Sequence, residues 1–151
     1  MKTIYLHFSP GKNWYSYLLK KGFSHVSVFI DEDDQEKNLF LCSDKRGTYI
    51  DFLDAIDFNH VRQGVVLKVH LSREVLMEEG SFKFYWLSFR WGLYACCSLA
   101  KSILGIKSFS QTPYQLYKYL TSKKYKATNP HILNVEIISI KKRKGEGDGH
   151  R

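Results

Sequence analysis

The chain has 151 residues, 44% apolar and 25% charged, a balance that fits one compact domain with a real core and excludes intrinsic disorder for most of its length. Aromatic residues stand out at 15%, while 10 Gly and 3 Pro are too few for a low-complexity or collagen-like chain. The uncharged stretch from Gly92 to Ala100 is far shorter than the roughly 18–20 apolar residues of a bilayer-spanning helix, so no transmembrane segment is expected.

In chain order, the N-terminus lacks the continuous apolar run of a secretory leader, which points to a cytoplasmic or virion-associated protein. Ile4, Leu6 and Phe8 alternate with Tyr5 and His7 as in a half-buried strand, and Ser9-Pro10-Gly11 ends it. Trp14, Tyr17, Leu18 and Lys21 recur at helical spacing over 13–21, and Gly22 follows as a stop. Residues 25–31 and 38–44, rich in Val, Phe, Leu and Ile, flank the acidic turn 32–37 as the arms of a hairpin. Further strands are expected over 48–54, 65–71 and 81–89. From Tyr94 the pattern turns helical, with apolar positions at 96, 99, 100, 103 and 104 closed by Gly105. Thr112, Pro113 and Gln115 have the spacing of a capping box and predict a second helix over 113–122. Residues 131–140 alternate as a last strand. No repeat or linker divides the chain, so we expect an α+β domain over 1–140 and a basic tail over 141–151. The tail contributes +3 of the formal charge of +8. It reads as a solvated extension, and nucleic-acid binding through Lys141 to Lys144 is the weaker alternative.

Three cysteines, Cys42, Cys96 and Cys97, are an odd number with two adjacent, which argues against a disulfide scaffold. The six histidines show no zinc-site spacing with them, so no metal or other cofactor is expected. A cysteine in the first turn of a helix lies where free N–H groups and the helix dipole stabilise a thiolate. Cys96 shares its helix face with Leu99, Ala100, Ile103 and Leu104 and therefore points at the sheet, whereas Cys97 lies toward Lys101. A thiolate aimed at a sheet needs a strand-borne histidine for nucleophilic catalysis. His25, at the start of its strand, suits that role best; His7 and His70 also sit in strands, and His60, His131 and His150 lie in loops, at an edge or in the tail. A symmetric hairpin pairs residues whose numbers sum to about 69, which sets Asp44 across from His25 as orienter of the base. A one-residue slip gives Ser43 instead, and Asp31 and Asp51 stay open.

Three patches, Gly22-Phe23-Ser24-His25-Val26, Cys96-Cys97-Ser98-Leu99-Ala100-Lys101 with Leu104-Gly105-Ile106, and Thr112-Pro113 with Leu116-Tyr117 and Leu120, resemble the circularly permuted papain-like (permuted NlpC-type) cysteine peptidases and amidases. In that family, which includes small bacterial and phage proteins, the histidine strand precedes the cysteine helix, as here. The resemblance implies an antiparallel sheet packed on a central helix that carries the nucleophile. It makes Cys96 the nucleophile, His25 the base and a residue near Asp44 the polar third member, with Cys97 as packing. It further implies a thioacyl-enzyme mechanism on peptide-type amides, cell-wall (peptidoglycan) peptides before esters. The competing expectation is a non-catalytic module of the same fold in a phage particle or other assembly.

Overall fold

The structure, a computed structural model, describes residues 2–10, 19–31, 38–44, 47–53, 58, 63–72 and 95–138. It is an α+β arrangement of six antiparallel strands and three helices among those residues. The strands are β1 (Lys2–Ser9), β2 (His25–Asp31), β3 (Asn38–Asp44), β4 (Gly47–Leu53), β5 (Val65–Leu71) and β6 (Ile132–Ile138). They lie in the order β4-β3-β2-β1-β5-β6, so the N-terminal strand is central. The alternation read in β1 is borne out, since Ile4, Leu6 and Phe8 are buried and Tyr5 and His7 only partly so. With Val26, Val28, Leu41, Leu67, Val69 and Leu71 they form the sheet side of the core.

The helices are α1 (Ala95–Leu104), α2 (Pro113–Thr121) and α3 (Tyr125–Thr128). Leu99, Ala100, Ile103 and Leu104 of α1, Leu116 and Leu120 of α2, and Tyr125 of α3 complete the core. Gly105, at φ +61°, ends α1 in the left-handed conformation a side chain disfavours, and Ile106 N–H closes the turn on the Lys101 carbonyl at 2.9 Å. Beyond it, His131 Nε2 bonds the orphan Leu104 carbonyl at 2.8 Å. The capping box of α2 is present: Thr112 Oγ1 accepts from Gln115 N–H, and Gln115 Oε1 accepts from Thr112 N–H. Lys101 Nζ donates to the carbonyls of Ser108 (3.3 Å) and Ser110 (2.8 Å), which fixes the loop between α1 and α2.

Two features place the site. β1 and β2 pair along their whole length, from Thr3↔Asp31 to Ser9↔His25. The β2–β3 ladder, by contrast, holds only from Ile30↔Leu39 to Val28↔Leu41, although β3 continues pairing with β4 to Asp44↔Gly47. The ends of β2 and β3 that carry His25 and Cys42 are therefore unladdered, and α1 packs against these two strands. Next to this gap Phe23 packs on Tyr117 (centroids 4.8 Å), Tyr114 (5.2 Å) and Phe8 (6.0 Å), locking α2 against the start of β2.

The register arithmetic for the hairpin agrees with the observed pairs, and the expected β4, β5, α1 and α2 are met within a residue or two. α3 was not anticipated, because four residues are too few to show a period. The helix expected at 13–21 lies outside the described residues up to position 18; its end is a turn in which Phe23 N–H bonds the Lys20 carbonyl at 2.9 Å, with Gly22 at φ +86°. The turn 32–37, the strand 81–89 and the tail 141–151 also lie outside them. Gly64 has φ +115°, and a Cβ there would overlap the Phe8 carbonyl oxygen and crowd His7 Nε2. Gly64→Ala is accordingly expected to destabilise the fold by about 2–4 kcal/mol through strain and overpacking, read as a lower urea midpoint.

Candidate active site

α1 begins at Ala95, so Cys96 stands in its first turn, where backbone N–H groups lack intrahelical partners. Its side chain is 5% exposed. Three donors meet its sulfur: the neighbouring Cys97 thiol, the His25 imidazole and the Val26 backbone N–H, on the part of β2 that pairs with β1 and not with β3. Led by the Cys97 thiol, they hold the Cys96 thiol well below the ordinary range in spite of burial, which opposes ionisation. The reciprocal holds for Cys97, whose thiol is pushed well up by donating to Cys96 and by its own burial.

His25 shows the matching shift. Burial by itself lowers an imidazole pKa, but the sulfurs of Cys42 and Cys96 outweigh it and raise His25 from 6.5 to about 10. The two shifts both favour the charged forms, an imidazolium on His25 and a thiolate on Cys96. Nε2–H of this imidazolium donates to Cys42 Sγ at 3.0 Å, and Ser27 Oγ–H approaches the same sulfur at 3.9 Å. His25, Ser27 and Cys42 are thus gathered on one side of the β2–β3 gap.

The expected nucleophile and base are brought together. The group on His25 Nε2 is Cys42, two residues before the expected orienter, Asp44. Asp44 itself closes the β3–β4 ladder opposite Gly47, and its side chain lies outside the described part of the structure. Asp31 is at the far end of β2, and Asp51 Oδ1 accepts from the N–H of Phe52 next to it. Ser43 is buried. Cys42 was discernible in principle, because the sum of 69 that pairs His25 with Asp44 also pairs Ser27 with Cys42, and a long side chain reaches the diagonal partner as readily as the opposite one. Cys97, expected as packing, is buried as packing would be but also donates to the nucleophile.

The other described histidines are engaged elsewhere. His7 Nε2 bonds the Gln63 carbonyl at 3.0 Å, and its pKa is lowered mainly by burial. His70 lies between Thr3 Oγ1 (3.4 Å) and Glu136 (3.7 Å), and His131 caps α1. His60 and His150 fall outside the described residues. Among those residues no group of three or more His, Cys, Asp or Glu is placed to hold a metal ion, and no helix is long and apolar enough to cross a membrane.

Comparison of the chain with protein-family models, with curated proteins and with solved structures finds no match. What the site can do is accordingly read from its own atoms. Replacing Cys42 with Ala removes the partner of Nε2 and is expected to lower the His25 pKa from about 10 toward 6.5, measured from the imidazole C–H shifts in an NMR titration. An unchanged titration would show that Cys42 does not hold the ring.

Proposed function

We propose that the protein is a cysteine hydrolase or acyltransferase of the circularly permuted papain-like type. The observation that carries this reading is the contact between a helix-N-terminal thiolate, Cys96, and a strand-borne imidazolium, His25. Such a pair is already ionised before substrate arrives, so attack needs no prior proton transfer. Cys96 Sγ adds to an amide or ester carbonyl, and the Cys96 backbone N–H, in the first turn of α1, is the nearest donor for the resulting oxyanion. The His25 imidazolium then protonates the leaving amine or alcohol; with Nε2 engaged by Cys42, the proton is assigned to Nδ1. Neutral His25 next takes a proton from water, or from another acceptor, which attacks the thioester and frees Cys96. Cys42 keeps the ring oriented through both halves of the cycle.

Peptide-type amides, such as those of bacterial cell-wall peptides, are the proposed substrates before esters, a preference that rests on the family resemblance. The test begins with an activated ester, p-nitrophenyl acetate, which acylates a competent thiolate whatever its natural leaving group. A burst of one nitrophenolate per chain, with an acetyl group mapped to Cys96 and neither in Cys96→Ser, is the expected result. Muropeptides are then assayed for release of an amine. A wild-type protein that gives no burst, or acetylates equally at Cys42 and Cys97, overturns the proposal.

A second reading, a module of an assembly, draws on apolar side chains left in solvent: Phe109 (98% exposed) on the loop fixed by Lys101, Ile50 and Phe52 on β4, and Leu133 and Ile137 on β6. It gives no account of the charged pair, and for that reason it ranks second.

A further inference from the structure

Acyl transfer uses one sulfur as nucleophile, yet two buried cysteines, Cys42 and Cys96, interact with His25, and a third, Cys97, with Cys96. Cys42 and Cys96 reach the same ring from different elements, β3 and α1, whose Cα atoms approach within 8 Å. They do so at the place where the β2–β3 ladder stops. His25, the first residue of β2, is only partly buried. Cys42 and Cys96 are each only 5% exposed, so any oxidant that reaches them must be small.

We propose that Cys96 is a site of reversible oxidation by hydrogen peroxide and that Cys42 is the thiol that resolves it, giving an internal Cys42–Cys96 disulfide. In the first step the Cys96 thiolate attacks peroxide; an S–O bond forms, the O–O bond breaks, and the departing hydroxide takes the His25 proton and leaves as water. The sulfur is oxidised to sulfenic acid by the two electrons that reduce the peroxide. Neutral His25, in the tautomer that keeps its proton on Nδ1, then takes the Cys42 thiol proton at Nε2 across the 3.0 Å contact. The Cys42 sulfur attacks the Cys96 sulfur, the S–S bond forms and the S–O bond breaks, and the second hydroxide leaves as water with that proton. One peroxide is consumed, two waters are made and both thiols are oxidised.

Cys97 is nearer to Cys96 in sequence but is the wrong partner. Adjacent Cα atoms are about 3.8 Å apart, below the 4.4–6.8 Å usual for a disulfide, and a vicinal ring would break the first turn of α1. The role of Cys97 is to supply the thiol proton that favours ionised Cys96. This inference does not depend on hydrolysis: it needs a reactive Cys96 and a resolving Cys42, and it stands or falls on covalent products rather than turnover.

The test treats the full chain with one equivalent of hydrogen peroxide, blocks remaining thiols with N-ethylmaleimide under denaturing conditions and maps the peptides by mass spectrometry. A Cys42–Cys96 link within one chain, reversed by dithiothreitol, with Cys97 still alkylated, is the expected product. In Cys42→Ser, dimedone is expected to trap Cys96 sulfenic acid, and further peroxide to carry it to sulfinic acid at least about tenfold faster than in the wild type. Cys97→Ser is expected to keep the Cys42–Cys96 link. A Cys96–Cys97 link, a link between chains, an unoxidised Cys96, or sulfinic acid forming equally fast with and without Cys42 overturns the proposal. Should Cys42→Ser fail to fold by circular dichroism, the wild-type peptide map alone decides.

Discussion

Cys96 is expected to be alkylated by iodoacetamide with a midpoint well below the free-thiol value of about 8.5, and to lose that advantage in His25→Ala. The physical reason is a balance. Burial of the sulfur disfavours the thiolate, and only the donors around it, the Cys97 thiol first and then His25 and Val26 N–H, reverse the sign. Removing His25 takes away both a hydrogen bond and a positive charge, and each unit by which the Cys96 pKa then rises above the working pH lowers the thiolate fraction about tenfold. The midpoint of Cys96 alkylation should therefore move up in pH, with a rate that falls about tenfold for each unit below the new midpoint. Cys97→Ala is expected to act in the same direction, since it removes the leading donor while leaving the imidazolium in place. If Cys96 titrates alike in the wild type and His25→Ala, the ion pair is not the source of reactivity and the catalytic reading fails with it. Cys97 supplies an internal reference: its raised pKa makes it the slow thiol throughout.

The same pair is expected to shape stability against pH into a plateau with two shoulders. Folded His25 titrates at about 10 against an ordinary 6.5, so its contribution is complete below 6.5 and is lost as pH rises through about 10. Folded Cys96 titrates below its ordinary 9.0, so its contribution is complete above 9.0 and is lost as pH falls through the folded value. Above both 6.5 and the folded Cys96 value, and below 9.0, the folded pair holds one proton on His25, and the unfolded chain holds one on Cys96. The proton counts are equal there and the pair contributes no slope. From 6.5 down to the folded Cys96 value the unfolded chain binds the extra proton and stability falls with decreasing pH; above 9.0 the folded chain holds the extra proton and stability falls with increasing pH. Each unmatched proton is worth about 1.4 kcal/mol per pH unit. Cys97 steepens the alkaline shoulder, because its raised pKa keeps a proton that the unfolded chain has already released. Urea midpoints from pH 5 to 10 for the wild type and Cys96→Ser would read this directly. The acid shoulder due to the pair should be absent in Cys96→Ser; a shoulder of the same size in both proteins would contradict the ion pair.

The strands and the two longer helices were legible because their signals are local. Alternation at Ile4, Leu6 and Phe8 survives in the burial of β1, and Thr112, Pro113 and Gln115 form the cap their spacing announces. The hairpin register was legible for the same reason, since it follows from the symmetry of two short strands about one turn. Cys96 and His25 could be nominated from helix position and strand end. Their partners are only half legible there. Which side chain reaches His25 Nε2 depends on how the ring leans once β2 and β3 stop pairing, and that is decided by α1 packing against both strands, a contact between segments some 70 residues apart. A helical wheel places Cys97 at a boundary, and it is buried; the hydrogen bond to its neighbour depends on rotamers that a wheel does not contain.

His131 holds the opposite end of α1 from the thiol, through the Leu104 carbonyl. A ten-residue helix is a strut about 15 Å long, and a strut transmits position from one end to the other. The setting of the Cys96 sulfur over β2 is thus registered at both ends, by its donors at one and by a histidine just before β6 at the other. His131 is thus tied to Cys96 by mechanical linkage though not by contact.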